Sequence, residues 1–153
     1  MTVKTLAHPM AQMVEKACIS LRLQRSGRAV GRHFDDTFRH LGINARQFSL
    51  LMFLNRPSSL TVSRLAELLA MDRTTTTAIL KPLAREGLLT ICRDSKDARV
   101  RNVALTGAGR TLLAKAVRRW KIANDAIAAK ISVGDLAHFH SILEKIVEGI
   151  NTR

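Results

Sequence analysis

The chain has 153 residues, 46% of them hydrophobic, which is enough length and apolar content for one domain with its own core and argues against disorder. Lys and Arg outnumber Asp and Glu by 25 to 12, and the formal net charge of +13 favours a polyanionic partner: DNA, RNA or an anionic membrane. Two cysteines exclude a disulfide framework, no apolar run approaches the roughly 18 residues of a membrane span, and the N-terminus lacks a signal-peptide pattern, so we expect a cytoplasmic protein.

The first predicted helix is unusually long, covering about residues 10–40, and its apolar residues form two stripes. The early stripe comprises Met10, Val14, Ala17 and Leu21, and the later stripe comprises Leu23, Val30, Phe34 and Leu41. The stripe centres differ by roughly 130° around the helix. We therefore expect the later stripe to cover its own domain and the earlier one to meet the C-terminal helices or another chain. The alternative is a break near Ser26 and Gly27 that yields two ordinary helices.

Three shorter helices follow, at about 45–55, 62–69 and 73–86, and the last two have the spacing of a helix-turn-helix. Thr61 and Asp72 are suitable N-cap residues for these two helices. In a helix-turn-helix the second helix enters the major groove of DNA. The sequence therefore predicts that residues 73–86 form a recognition helix.

This predicted recognition helix carries four consecutive threonines, and helical phase separates their roles. Thr76 falls among the apolar residues Ile79, Leu80 and Leu83, so it is predicted to point inward. The predicted DNA-facing residues, with Thr77 at the edge and Thr75 on the flank, are Thr74, Thr75, Thr77, Ala78, Lys81 and Arg85. Hydroxyls at a helix N-terminus bond phosphate oxygens or base edges, and threonine methyls contact thymine methyls. The alternative is a polar, solvated face.

A β-hairpin is predicted directly after the recognition helix, with arms at 88–93 and 99–105 and a polar tip between them. A hairpin in this position is a wing. Its predicted DNA-binding cations are Arg93, Lys96, Arg99 and Arg101. An arginine at the tip suits a narrow, A/T-rich minor groove, where the negative potential is concentrated. Asp97, two residues before Arg99, is expected to orient its guanidinium.

Helical periodicity returns at about 107–130 and 133–151. Apolar residues recur there at spacings of three and four: Leu113, Ala116, Trp120, Ala123 and Ile127, then Leu136, Phe139, Leu143, Ile146 and Ile150. Helices at the chain ends, far in sequence from the middle segment, are good candidates for an intertwined dimer interface. The alternative is that they close a monomeric core.

Three segments together resemble the MarR family of bacterial transcription regulators: MDRTTTTAILKPLAREGLL at 71–89, DARVRNVALTGAGRTLL at 97–113 and LRLQRSGRAVGRHFDDTF at 21–38. The wing signature of that family is Asp-x-Arg followed by a strand that ends in Leu-Thr-x-x-Gly. It is matched by Asp97, Arg99, Leu105, Thr106 and Gly109. The resemblance covers essentially the whole chain.

The resemblance implies a mainly α fold with a small β-hairpin wing, arranged as one domain over 1–153. A winged helix-turn-helix lobe, 45–106, would be flanked by dimerisation helices at 1–40 and 107–153. The resemblance also implies a homodimer that binds a palindromic operator in double-stranded DNA, usually as a repressor that a ligand or an oxidant releases. The residue matching Arg99 would enter the minor groove.

Two positions depart from many members of the family. Ala78 stands where a long polar residue commonly reads bases, so direct readout is expected to be reduced there. Thr76 stands where a leucine is common, which fits its inward phase. Because of Ala78 and the high charge, a low-specificity architectural DNA-binding protein stays an alternative to a sequence-specific regulator.

The resemblance further implies two kinds of effector. Members often bind small aromatic or phenolic acids between the dimer helices and the DNA-binding lobe. Residues suited to line such a cleft are Arg22, Phe48, Met52 and Trp120, although ordinary packing explains them equally well. Other members sense peroxides through a cysteine in the first helix, where Cys18 lies, but the tyrosine partners of that cysteine do not exist here because the chain has no Tyr. A structural role is favoured for Cys18, with a redox sensor acting through DNA release as the rival.

The sequence predicts no enzyme activity, metal site or cofactor. Gly107 and Gly109 follow a strand and open a helix, but they lack the βαβ context and the third glycine of a dinucleotide-binding motif. His138 and His140 are two residues apart, so they do not share a helix face. No arrangement of a nucleophile with a base is recognisable.

Overall fold

The computed structural model describes residues 8–151, with the side chains of residues 8–150, and this part of the chain contains seven α-helices and three strands. The helices are α1 (His8–Ala17), α2 (Ile19–Phe38), α3 (Ala45–Leu54), α4 (Val62–Leu68), α5 (Arg73–Arg85), α6 (Gly107–Ala128) and α7 (Val133–Asn151). The strands are β1 (Leu60–Thr61), β2 (Leu89–Arg93) and β3 (Arg101–Leu105). The predicted mainly α fold with a hairpin wing is confirmed. Residues 1–7 and 152–153 of the predicted dimerisation segments lie outside the described residues.

The prediction of one continuous helix over 10–40 is wrong, because the chain leaves the helical conformation at Cys18. Cys18 has an extended ψ of 108°, and its sulfur accepts a hydrogen bond from the Leu21 amide at 3.4 Å. The Arg22 guanidinium donates two hydrogen bonds, of 3.0 and 2.6 Å, to the Lys16 carbonyl across the break. The Cys18 amide still bonds the Val14 carbonyl at 2.8 Å, so the apolar stripes pass through the break and periodicity does not reveal it.

The other end of the long helix also differs from the prediction. The α2 helix runs without interruption through Ser26 and Gly27, where the alternative placed a break, and ends at Phe38. A short 3-10 turn, Arg39–Leu41, follows it, and Gly42 ends the turn in the left-handed region with a φ of 73°. Glycine adopts this conformation at no steric cost. The turn directs the chain into α3.

The described residues contain a three-stranded antiparallel sheet in the order β1-β3-β2. The hairpin pairs β2 with β3, as predicted. The sequence did not reveal β1, since two residues are too few to show an alternating pattern. Leu60 of β1 pairs with Val103, and Thr61 pairs with Asn102. This pairing attaches the start of α4 to the base of the wing.

The core lies between α2, α3, α4, α5, α6 and the sheet, and is built from leucines with two stacked phenylalanines. Phe38 and Phe48 stack with ring centroids 4.6 Å apart, and Phe34 extends the stack from the α2 side. The larger fully buried side chains are Phe38, Leu50, Leu51, Leu54, Leu65, Leu80, Leu83 and Val103. By contrast, none of the residues 8–17 or 133–150 has a buried side chain.

A tight junction joins the end of α5, the wing and the start of α6. The Thr106 hydroxyl donates to the Gly87 carbonyl at 2.7 Å, and the Thr106 amide donates to the Leu88 carbonyl at 3.2 Å. Gly109 lies so close to the backbone just before β2 that a Cβ added to it would be 2.0 Å from the Leu88 oxygen. The Leu-Thr-x-x-Gly signature therefore sets the position of α6 against the recognition helix and the wing.

Candidate nucleic-acid interface

Hydrogen bonds cap both helices of the helix-turn-helix and hold the turn between them. The Thr61 hydroxyl accepts from the Arg64 amide at 3.1 Å and caps α4, while Asp72 Oδ1 accepts from the Thr75 amide at 2.7 Å and caps α5. Ala70, between the helices, has a φ of 50°, and the Met71 amide donates to Ala66 O at 2.9 Å. The predicted caps and the helix-turn-helix are confirmed, and the turn presents the N-terminus of α5 to solvent.

The burial of α5 follows the predicted phase. Thr76, Leu80 and Leu83 are fully buried, and the helix continues through Pro82 to Arg85. An open groove runs along the opposite face. It is lined by Arg73, Thr74, Thr77, Ala78, Lys81, Pro82 and Arg85. The short side chain of Ala78 lies in the middle of this groove, so a ligand can approach the helix backbone closely there.

The four threonine hydroxyls have different hydrogen-bond partners. Thr75 Oγ1 donates to Asp72 Oδ2 at 2.6 Å, Thr76 Oγ1 to the Asp72 carbonyl at 2.9 Å, and Thr77 Oγ1 to the Arg73 carbonyl at 2.7 Å. The Thr74 hydroxyl is exposed and makes no hydrogen bond within the described part of the chain. The hydroxyl and the amide of Thr75 lower the pKa of Asp72 below its ordinary value. The cap is therefore a charged one at neutral pH, and three of the four hydroxyl protons are already engaged.

The register of the wing places Arg93 directly opposite Arg101, at the outer end of the β2–β3 ladder. At the inner end Leu89 faces Leu105, and both are buried. Directly opposed residues share a face of an antiparallel pair, so the two exposed arginines extend the core-facing side of the hairpin outward. The wing is thus anchored by leucines at its base and concentrates positive charge beyond the core.

Asp94 and Asp97 organise the tip of the wing by accepting hydrogen bonds from its backbone. Asp94 Oδ1 accepts from the amides of Lys96 and Asp97, and its Oδ2 accepts from the Asn102 side chain at 2.8 Å. These bonds lower the pKa of Asp94, with the Lys96 amide as the largest cause. The tip is therefore ordered by its own carboxylates.

The prediction that Asp97 orients the guanidinium of Arg99 is wrong. Asp97 Oδ1 instead accepts from the Arg99 backbone amide at 2.9 Å, a local bond that the two-residue spacing favours. The ion pairs within residues 8–151 do not include Arg99, and its side chain is exposed. Asp97 thus fixes the backbone from which Arg99 projects and leaves the guanidinium free for a ligand.

A second cleft connects the wing to the helix-turn-helix. It is lined by Thr61, Val62, Ser63, Arg73, Arg99, Val100 and Arg101. Arg73 lines both this cleft and the groove along α5, so the two cationic surfaces are continuous. Sequence reasoning missed Arg73, although its place immediately after the N-cap Asp72 indicated that it opens the recognition helix.

The residues predicted to hold an effector are placed in different environments. Phe48 is buried in the core, Met52 and Trp120 are partly exposed, and the guanidinium of Arg22 is engaged by Lys16. A separate open cleft lies between α2 and α3. It is lined by Gln24, Gly27, Arg28, Gly31, Arg32, Asp35, Asn44, Ala45 and Arg46. Three arginines therefore surround this cleft, which sequence reasoning did not single out.

Of the two cysteines, Cys18 is half-buried at the start of α2 and Cys92 is exposed on the wing. None of the helices in the described stretch, 8–151, is both long enough and apolar enough to cross a membrane.

Known proteins share both the sequence pattern and the architecture. A sequence model of the MarR family matches residues 41–100, from the 3-10 turn to the wing. The organic hydroperoxide resistance transcriptional regulator of Bacillus subtilis (strain 168) is 33% identical over 95 residues, or 62% of this chain. The matched segment spans 65% of the length of that relative.

Solved structures match a larger share of the chain. The M. tuberculosis transcriptional regulator MosR, in complex with DNA, is 28% identical with a TM-score of 0.76, and the match covers 88% of this chain and 98% of that one. The S. aureus MepR–DNA complex has the same fold at 20% identity, with a TM-score of 0.77 and coverage of 86% and 97%. Sequence, wing signature and architecture agree: residues 41–100 match the MarR family model, and the chain is similar to winged helix-turn-helix transcriptional regulators over most of its length.

Proposed function

We propose that this protein is a homodimeric, sequence-specific repressor that binds a palindromic operator in double-stranded DNA and is released from it by a small ligand. The observation that carries the proposal is the continuous cationic surface that Arg73 forms between the α5 groove and the wing cleft. A helix and a hairpin joined by one positive surface fit a major groove and the adjacent minor groove. MosR, which is similar in sequence and fold, has been solved in complex with DNA.

The proposed DNA contacts divide into three groups. The outward side chains of α5 (Thr74, Thr75, Thr77, Ala78, Lys81 and Arg85) enter the major groove. The wing residues Arg93, Lys96 and Arg101 bind phosphates, and Arg99 enters the minor groove. Lys81 and Arg85 lie toward the C-terminal half of the helix and supply charge, whereas the threonines lie at its N-terminus, where a groove-bound helix meets base edges.

The proposed dimer is supported by apolar surface at both chain ends. Met13 of α1 and Ile150 of α7 are 56% and 70% exposed. Other exposed large apolar residues on these helices and at the start of α2 are Met10, Val14, Ile19, Val133, Phe139, Ile142 and Val147. Exposed apolar residues in this number on the end helices are typical of a protein interface. Two copies joined by their end helices would present two recognition helices, which is the arrangement a palindrome requires.

The proposed effector is a small aromatic or phenolic acid. The α2–α3 cleft suits its carboxylate better than the set of Arg22, Phe48, Met52 and Trp120, since the cleft is open and Arg28, Arg32 and Arg46 surround it. Titration of the operator complex with benzoate-type acids tests this. If the acid no longer releases DNA from the Arg28→Gln variant, the α2–α3 cleft is supported as the binding site. If it no longer releases DNA from the Met52→Ala variant, the other set is supported.

A second candidate function is a thiol-based peroxide sensor centred on Cys18. It is supported by the Cys18 sulfur at the N-terminus of α2, where it accepts an amide hydrogen bond, and by the 33% identical regulator named for organic hydroperoxide resistance. In such a sensor the thiol sulfur attacks the peroxide O–O bond and bonds its outer oxygen, while the alkoxide that leaves takes the thiol proton, so the products are a sulfenic acid and an alcohol. Peroxide titration of the DNA complexes of wild type and Cys18→Ser distinguishes the candidates. If peroxide releases DNA from wild type but not from Cys18→Ser, the sensor is supported.

Binding titrations at several salt concentrations test the main proposal. The duplexes are the promoter region of the protein's own gene and a random sequence of equal length. We expect tighter binding to the promoter at every salt concentration, because base contacts add to the salt-dependent phosphate contacts. Equal affinity for both duplexes would contradict the proposal and favour the architectural alternative.

A further inference from the structure

Resting on the proposed DNA binding, we infer that Thr77 is a specificity-determining residue that selects A or C, and rejects G or T, on the strand it contacts. The inference comes from the direction of one hydrogen bond. Thr77 Oγ1 lies 2.7 Å from the Arg73 carbonyl oxygen. A carbonyl oxygen has no proton, so the hydroxyl of Thr77 must supply the one they share.

With its proton engaged, the Thr77 hydroxyl presents only lone pairs to a ligand. In the major groove the hydrogen-bond donors of the bases are the amino groups at N6 of adenine and N4 of cytosine. The edges of guanine and thymine present the acceptors O6, N7 and O4 instead. An acceptor-only hydroxyl therefore bonds the amino bases and opposes the keto bases. While this bond is kept, the hydroxyl does not donate to a phosphate oxygen, so this geometry favours a base contact by Thr77 over a sequence-independent phosphate contact.

The position of Thr77 lets it act on a base edge. It lines the α5 groove in the N-terminal half of the helix and is partly exposed, next to Ala78. Because the side chain of Ala78 is only a methyl group, it places no long group between the helix and a base edge. The selectivity that Ala78 cannot provide would then come from its neighbour.

The other three threonines do not duplicate this role. Thr76 is fully buried, and Thr75 lies on the flank with its proton donated to Asp72. Thr74 keeps its hydroxyl proton free within the described residues, so it can donate to a phosphate or to a base acceptor. Thr74 and Thr77 lie on the same face of α5, and we expect Thr74 to donate hydrogen bonds to DNA and Thr77 to accept them.

Selection from a random duplex library tests the inference with the full-length protein. Wild type, Thr77→Val, Thr77→Ser and Thr74→Val are compared. Valine keeps the shape of threonine without the hydroxyl, and serine keeps a hydroxyl able to bond Arg73. We expect one operator position at which wild type and Thr77→Ser enrich A or C, and at which Thr77→Val has no amino preference. Thr74→Val should keep that preference.

A base-analogue titration then identifies the atom that is read. If adenine is selected, purine in its place removes the N6 amino group, whereas 7-deazaadenine removes only the N7 acceptor. If cytosine is selected, 2-pyrimidinone removes the N4 amino group. We expect loss of the amino group to reduce the DNA affinity of wild type roughly tenfold and that of Thr77→Val far less. We expect 7-deazaadenine to leave the difference in affinity between the two proteins unchanged.

Two results would overturn the inference while leaving the proposed function intact: a specific operator whose amino preference survives in Thr77→Val, or a contribution of Thr77 that depends on a base acceptor. Failure to select any duplex sequence would instead count against the proposed function itself.

Discussion

Arg93 lies directly opposite Arg101 in the hairpin, and both arginines are exposed on the same face of the wing. Like charges at directly opposed positions destabilise a sheet, so the free protein gains nothing in stability from this pair. A polyanion placed against the wing would remove the repulsion. We infer that the charge of the hairpin serves the proposed DNA binding and not the stability of the fold.

Replacing Arg93 by Gln should weaken DNA binding without lowering stability. The free energy of unfolding should stay level or rise by about 0.2–1 kcal/mol, since the repulsion with Arg101 is lost. DNA affinity should fall, and its salt slope should decrease by about one. Urea unfolding and salt-dependent titration measure the two effects. Lys130→Gln, a cation beyond the end of α6, is the control, and an equal loss of affinity in it would contradict a specific role for the wing.

Replacing Lys81 and replacing Arg99 should weaken DNA binding in different ways. Lys81→Ala should weaken binding similarly on operator and random duplex and lower the salt slope by about one, as expected for a phosphate contact. Arg99→Ala should lose most on operators with A/T-rich flanks, because a minor-groove arginine responds to groove width. Titrations on operator, flank-swapped operator and random duplex separate the two. The same uniform loss in both variants would refute this division.

Gly109→Ala should destabilise the whole fold, by about 1–3 kcal/mol or more, because the new Cβ would be 2.0 Å from the backbone oxygen of Leu88. Gly107→Ala is the matched control, since a Cβ there meets nothing within 4 Å. Thermal unfolding of both variants measures the difference. If they unfolded at the same temperature, the junction between α6 and the wing would be less tightly packed than the structure indicates.

Deleting residues 133–153 should abolish dimerisation and operator binding together, because α7 carries much of the exposed apolar surface at the chain ends. Light scattering coupled to gel filtration gives the mass, and a titration gives the affinity. The full-length variant Phe139→Glu, which adds a charge to the same helix surface, should shift the dimer toward monomer as well. A truncated protein that still elutes as a dimer would contradict the proposed interface.

The charged cap of α5 should make stability depend on pH. The hydroxyl of Thr75, followed by its amide, holds the pKa of Asp72 below 3.8 in the folded state. A lowered folded-state pKa stabilises the fold above the unfolded-state pKa, and this contribution is lost as the pH falls through the folded-state value. The unfolding midpoint of wild type should therefore drop more between about pH 5 and about pH 2 than that of Asp72→Asn, which caps without a charge. If the unfolding midpoints of wild type and Asp72→Asn fell in parallel with pH, the charge of Asp72 would contribute nothing to stability.

Local patterns determined much of the recognition unit. Helical phase predicted that Thr76 is buried and that Lys81 lies outward, and capping chemistry predicted Thr61 and Asp72 at the helix starts. These features follow from residues within a few positions of one another, where periodicity and side-chain-to-backbone hydrogen bonds act. The roles of the predicted DNA-contacting residues stay predictions.

Tertiary structure decided what depends on distant partners or on single dihedral angles. The two residues of β1 are a strand only because Leu60 and Thr61 pair with a strand about forty positions later, and the first helix breaks at Cys18 because of one extended ψ angle. Arg73 joins the two cationic surfaces only once the wing folds back beside it. Pairing and packing across the chain leave no periodic trace in the sequence, so these relationships appear only when the chain is folded.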